Sequence, residues 1–204
     1  MALRPDLVVV SRDGTDRAAY ERLRTAGLRV EVTGGTSLDG VLADIRKVGD
    51  AIGETRRAAG LEETLRSRIA AAQARAAARP GPPRKALAVI WPDPPVVAGS
   101  STFVGDLLSR AGFVNAVPPG AGDWPRVSFE TLAAWNPDLV VRPDTAENRE
   151  AFSRLFARDA RWRLVKAVSA GHVLAVPGDW LERPGPRLVD ALEMLANAAA
   201  GGVP

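Results

Sequence analysis

Pro5-Asp6-Leu7-Val8-Val9 recurs as Pro137-Asp138-Leu139-Val140-Val141, and this pair of strings organises the chain. In each copy a turn-forming Pro-Asp precedes a short apolar, β-branched run, a composition that wants burial on both faces of a sheet. Each copy is followed by a polar loop and a helical pattern. Working outward from the first, Asp16 to Ala26 predicts a helix closed by Gly27, a favourable residue just past a helix end. Leu28 to Val32 predicts a second strand. Gly34-Gly35-Thr36-Ser37 is a loop in which Ser37 caps a helix over Leu38 to Val48. This β-α-β-α order predicts a parallel sheet with helices on its faces.

Around the second copy the same alternation is longer. Lys85 to Trp91 predicts a strand, Thr102 to Ala111 a helix ended by Gly112, and Val114 to Val117 a short strand. Ser128 caps Phe129 to Trp135. The strand Leu139 to Val141, a helix over Glu147 to Phe156, the strand His172 to Val176 and a closing helix over Pro186 to Ala200 follow. Between the two blocks lies Glu54 to Arg79, rich in Ala and Arg, both strong helix formers. Its narrow apolar stripe is Leu61, Leu65, Ile69 and Ala72, and Pro80-Gly81-Pro82-Pro83 ends it. One helix of roughly 35–40 Å fits a bridge between two bodies. The second copy follows a β-α-β-α block from Lys85 to Asn136, whereas only Met1 to Arg4 precede the first. If the halves are related, the first lacks its opening β-α units. The expectation is a trimmed chain or a misplaced start codon, with an open sheet edge near Pro5 to Val10.

The 204 residues are 46% hydrophobic and 25% charged, an ordinary globular balance. No apolar run approaches the ~18–20 residues of a membrane span. Met1-Ala2-Leu3-Arg4-Pro5-Asp6 does not read as a signal peptide. The net charge is +3, but the Arg residues are interleaved with Asp and Glu. That reads as solvated helix faces and no nucleic-acid partner. With no cysteine, thiol chemistry and disulfides are excluded. The only histidine, His172, opens an apolar strand. There is no Gly-x-Ser-x-Gly, Walker loop or His-Glu-x-x-His, and no acidic cluster suited to a metal. The expectation is a non-enzyme with no catalytic residue, no metal and no cofactor.

Binding is better represented. Of five tryptophans, Trp135 and Trp162 sit within helical patterns and read as core. Trp91-Pro92-Asp93-Pro94-Pro95 follows a strand, where the C-terminal edge of a parallel sheet presents ligand loops. Trp124-Pro125 lies in the Gly/Pro-rich loop Pro118 to Arg126, and Asp179-Trp180-Leu181-Glu182-Arg183 follows another strand. Aromatics and a few charges at strand ends suit a flat, amphipathic ligand.

Trp124-Pro125-Arg126-Val127-Ser128-Phe129-Glu130, Asn136-Pro137-Asp138-Leu139-Val140 and Gly178 to Arg187 together resemble the substrate-binding proteins of ABC importers for vitamin B12, ferric siderophores or haem. Gly99 to Asn115 and Leu3 to Asp13 extend the resemblance over nearly the whole chain. It implies an α/β fold of two Rossmann-like parallel-sheet lobes joined by a single long helix, the first lobe incomplete. On that pattern residues 1–53 are a partial N-terminal lobe, 54–80 the interlobe backbone helix and 81–204 the C-terminal lobe.

The resemblance also implies roles. Trp124 resembles the aromatic that packs on a corrin, and Asp179 and Arg183 a late-loop pair that hydrogen-bonds the ligand's polar edge. Ser11 and Arg12 stand in the first-lobe loop where close B12 binders carry an aromatic, and Val96 and Val97 stand near another position where those binders carry one. Glu130 matches a glutamate that docks on the arginines of a membrane permease. The implied function is import of a cobalamin-like corrinoid, or alternatively of a ferric siderophore or haem, by a periplasmic or cell-surface protein. Arg12, Arg126 and Arg183 suit an iron chelate. Two further classes stay open on fold alone: an enzyme on this architecture, such as a chelatase, for which His172 is poorly placed, and a scaffold protein.

Overall fold

A computed structural model describes residues 3–12 and 14–201. Met1, Ala2, Asp13 and residues 202–204, on which the readings of the N-terminus and of the end of the first loop partly fall, lie outside them.

The first copy of the repeated string forms β1 (Val8–Ser11). After α1 (Arg17–Thr25) comes β2 (Val30–Thr33), paired parallel to β1 with Val8 opposite Val30 and Ser11 opposite Thr33. Parallel neighbours need a crossover, and α1 supplies it. Asp16 caps α1 by accepting from the Ala19 N–H at 2.7 Å, and Gly27 past its end has φ 77°. Among the described residues this sheet has two strands, and Val9 is 47% exposed. Then α2 (Leu38–Ala51) begins at Ser37, whose hydroxyl accepts from the Gly40 N–H at 3.1 Å.

The long helix is α3 (Thr55–Ala77), 23 residues and so roughly 35 Å. It buries Ala58, Leu65, Ile69, Ala72 and Ala76, a helical stripe packed on α2 and on the closing helix α9 (Leu188–Gly201). Leu61 departs from the expected stripe. It is 40% exposed and lines an open groove with Val41, Ile45 and Val48 of α2, while Gly49 admits the methyl of Ala58 one turn earlier.

The second sheet contains β3 (Lys85–Pro92), β4 (Pro95–Val97), β5 (Val114–Asn115), β6 (Leu139–Asp144) and β7 (Val173–Pro177). Its order is β4-β3-β6-β7, with β5 on the β4 side of β3. All neighbours are parallel except β3–β4. That hairpin corrects the reading of Trp91 to Pro95 as an open loop: Pro92 stands opposite Pro95 and Val89 opposite Val97. The reason is local. Val96-Val97 is a β-branched pair that a tight turn returns to the free upper edge of β3.

Between the strands run α4 (Phe103–Arg110), α5 (Phe129–Trp135), α6 (Arg149–Arg158), a 3-10 turn at Trp162–Leu164, α7 (Lys166–Ser169) and α8 (Gly178–Leu181). Alternate strand residues feed two cores. Ala86, Ala88, Leu139 and Val141 face the layer with α3, α4 and α9. Leu87, Val89 and Val140 face the layer with Phe129, Phe152 and Trp162. Trp162 is fully buried, as its helical pattern predicts, and Trp135 packs against the same cluster.

Candidate functional site

In parallel sheets the loops leaving the C-terminal strand ends carry ligands. Three such ends converge here. Ser11 closes β1, Ile90 lies near the end of β3, and α8 follows β7 with no intervening loop. They border a cavity of about 430 Å³ lined by Ser11, Gly14, Ile90, Phe103, Trp124, Leu181, Glu182 and Pro184. It therefore takes residues from both sheets' loops.

Trp124 reaches this cavity because its loop is stitched alongside β4. The Val97 N–H donates to the Pro125 carbonyl at 3.1 Å, Val127 N–H to Pro95 at 3.0 Å, and Gly99 N–H to Asp123 at 2.7 Å. The Ser101 hydroxyl binds the Asp123 carboxylate. Glycine is required at position 99, where a Cβ would collide with the Gly122 carbonyl. The indole rests edge-on against Phe103, centroids 5.9 Å apart, and stays 39% exposed. It thus presents an open aromatic surface on a fixed support.

The other expected site residues are distributed around this cavity. The Arg12 N–H donates to Thr33 at 2.8 Å, and Arg12 lines a neighbouring groove with Arg17 and Tyr20. Trp91 is 50% exposed at the β3–β4 turn, its indole N–H donating to the Asp93 carbonyl at 3.0 Å; Ile90 and not Trp91 lines the cavity. Asp179 accepts from Arg187 at 3.2 Å and stands 3.5 Å from Arg183, so the three form an exposed cluster on the turn before α9. Of the late loop, Leu181, Glu182 and Pro184 line the cavity instead.

Sequence reasoning passed over Glu182. The signal was available: a helical turn beginning at Gly178 puts residues 178 and 182 on one face, one turn apart. Gly178 is buried, with Thr145 and the Glu182 carboxylate packed over its Cα. Glu182 is exposed as a residue, but partial desolvation of its carboxyl pushes it above its usual range; Arg183 opposes this, and Glu147 and Asp179 add to it.

Glu130 lies exposed in the first turn of α5, away from this cavity. Hydrogen bonds from its own backbone N–H and from Ser128 hold its carboxyl below the usual range, against a small opposing effect of burial. Among the described residues it makes no ion pair.

A profile of the periplasmic binding protein family matches residues 1–179. A "Cobalamin-binding protein" of Halobacterium salinarum is 30% identical over 203 residues, covering 97% of this chain and 54% of that protein. A "Vitamin B12-binding protein" of Salmonella typhimurium is 23% identical, covering 97% and 70%. Among solved structures, the periplasmic heme-binding protein RhuT of Roseiflexus in apo form superposes with a TM-score of 0.86 at 26% identity, over 99% of this chain and 78% of that one. The chain thus spans about half the length of the Halobacterium relative. These relatives are named as binding proteins and not as enzymes, in keeping with the lack of catalytic motifs. The α/β fold with parallel-rich sheets is that of the neighbours, and the chain belongs to the periplasmic binding protein family.

Proposed function

We propose that this protein is the substrate-binding component of an ABC importer that takes up a cobalamin-like corrinoid outside the cytoplasm and delivers it to a membrane permease. The observation that carries the reading is the cavity at three strand ends, walled on one side by Ser11 and on the other by the half-exposed indole of Trp124. An open indole face on a rigid loop offers stacking area to a flat macrocycle. The names of the Halobacterium and Salmonella relatives support a corrinoid.

In this reading residues 1–53 and 81–204 are the two walls and residues 54–80 the helix between them. Asp179 and Arg183 reach the ligand's polar edge from the late loop, with Arg12 and Trp91 at the periphery. Glu130 is the permease contact, and its exposure without an ion partner suits that role. A second reading, haem or a ferric siderophore in the same cavity, is favoured by the likeness to the Roseiflexus protein.

The test is titration of the complete gene product with cyanocobalamin, hemin and a ferric hydroxamate, followed by tryptophan fluorescence. Tightest binding of cyanocobalamin, weakened in Trp124→Ala, is expected. Tightest binding of hemin or the chelate transfers the assignment to the second reading. No binding of any of the three by folded protein overturns both.

A further inference from the structure

Among the described residues, the cavity wall carries one carboxylate amid apolar and neutral groups. Ile90, Phe103, Trp124 and Leu181 supply hydrocarbon and aromatic surface, and Ser11 a hydroxyl. Glu182 is the charged member. Arg183 and Arg187 both face Asp179, so Arg183 acts on Glu182 through its charge and not through a direct ion pair. Among the described residues Glu182 has no ion pair and no side-chain hydrogen bond, while its backbone is pinned by donation to the Gly178 carbonyl at 2.8 Å. Its side chain is also placed, folded over Gly178 beside Thr145. Of the charges around it, Arg183 favours the carboxylate, while Glu147 and Asp179 add negative potential.

An ionised carboxylate is an acceptor only. Next to an apolar wall it bonds strongly to N–H or O–H donors and repels another carboxylate, the more so where water is displaced. We infer that Glu182 sets the ligand class of this cleft, accepting hydrogen bonds from the amide groups of a neutral macrocycle and rejecting macrocycles that present carboxylates. A corrinoid periphery carries carboxamides, whereas haem carries two propionates. This rests on the cleft reading above and deepens it.

The experiment measures dissociation constants for cyanocobalamin and hemin in the complete gene product and in Glu182→Gln and Glu182→Lys. The wild-type protein is expected to bind cyanocobalamin more tightly. The ratio of the two affinities should move toward hemin by about tenfold in Glu182→Gln and further in Glu182→Lys. That ordering follows charge at one position, which a purely structural role for Glu182 would not produce. If wild-type protein prefers hemin, or if the ratio is the same in all three proteins, the role of Glu182 is overturned while a binding function stands. If wild-type protein binds neither ligand, the cleft reading fails and takes this inference with it.

Discussion

Trp124 and Gly99 act as a pair. The indole offers the surface, and the glycine allows its loop to lie close to β4. Trp124→Ala removes the stacking face but none of the loop's backbone hydrogen bonds. It should weaken binding of the preferred ligand about tenfold, about 1.4 kcal/mol, and lower stability by about 0.5–1.5 kcal/mol through loss of the edge-on Phe103 contact; calorimetric titration and thermal unfolding measure the two. Gly99→Ala should do the opposite in emphasis. Its methyl group overlaps the Gly122 carbonyl, so the loop must move and stability should fall by about 1–3 kcal/mol, as overpacking does. Urea unfolding measures this. An undisturbed midpoint would mean that the loop yields without cost and does not hold Trp124 rigidly.

At the scale of elements, α2 is tied to α4 by a carboxylate. Asp106 accepts from the Leu38 N–H at 2.8 Å and from Arg110 at 2.9 Å, and Arg110 also reaches Asp39 at 2.6 Å. The Leu38 N–H is one of the first-turn donors that a helix leaves without an internal partner. Because Leu38 is buried, loss of Asp106 strands that donor. Asp106→Ala should cost about 1–3 kcal/mol and loosen α2 against the second sheet, visible as faster hydrogen exchange over α2. Glu130 occupies a different kind of position. The first turn of α5 already suits a carboxylate through the helix dipole, and the side chain is exposed without an ion partner among the described residues. Glu130→Gln should leave ligand affinity and melting temperature unchanged and reduce ligand-driven uptake into proteoliposomes containing the permease. Uptake equal to wild type would leave the helix dipole as the sole account of this residue.

For the whole molecule, acid stability follows from its carboxylates. Arg110, then Arg66, hold Asp39 below its usual range, Arg149 and Arg142 do the same for Asp144, and Arg68 for Glu193. A carboxyl whose folded-state value is depressed contributes stability above its unfolded value and loses it as pH falls through the folded one. Glu182 has the opposite sign: its raised value favours folding at low pH and loses that contribution as pH rises through it. The depressed carboxyls outnumber it. Melting temperature should therefore hold steady from neutral pH down to about pH 5 and fall steeply below about pH 4, near unfolded carboxyl values. The Arg68 contacts with Asp190 and Glu193 also join α3 to α9, at 2.6 and 2.7 Å. They are only partly buried, so the acid-side loss should shrink in high salt. A melting temperature flat to pH 3 would show that these pairs contribute nothing.

The sequence determined the alternation of strands and helices, the caps at Ser37 and Ser128, the long α3 and the exposed Trp124. Each is set by a few neighbouring residues: a hydroxyl that caps, a glycine that ends, an apolar period, or too little surrounding chain to bury an indole. Tertiary structure decided the rest. The same string is buried throughout at Leu139, Val140 and Val141, yet leaves Val9 47% exposed, because burial belongs to the layers packed on a strand and not to the strand itself. The β3–β4 hairpin was hidden because Val96-Val97 is too short to reveal its partner. Arg183 and Asp179 read as a ligand pair, but Arg187 also faces Asp179, while Glu182 of the same turn lines the cavity. Which residue of a turn faces a cleft depends on how closely that turn packs on its neighbours, and here Gly178 lets Thr145 and the Glu182 carboxylate lie against it.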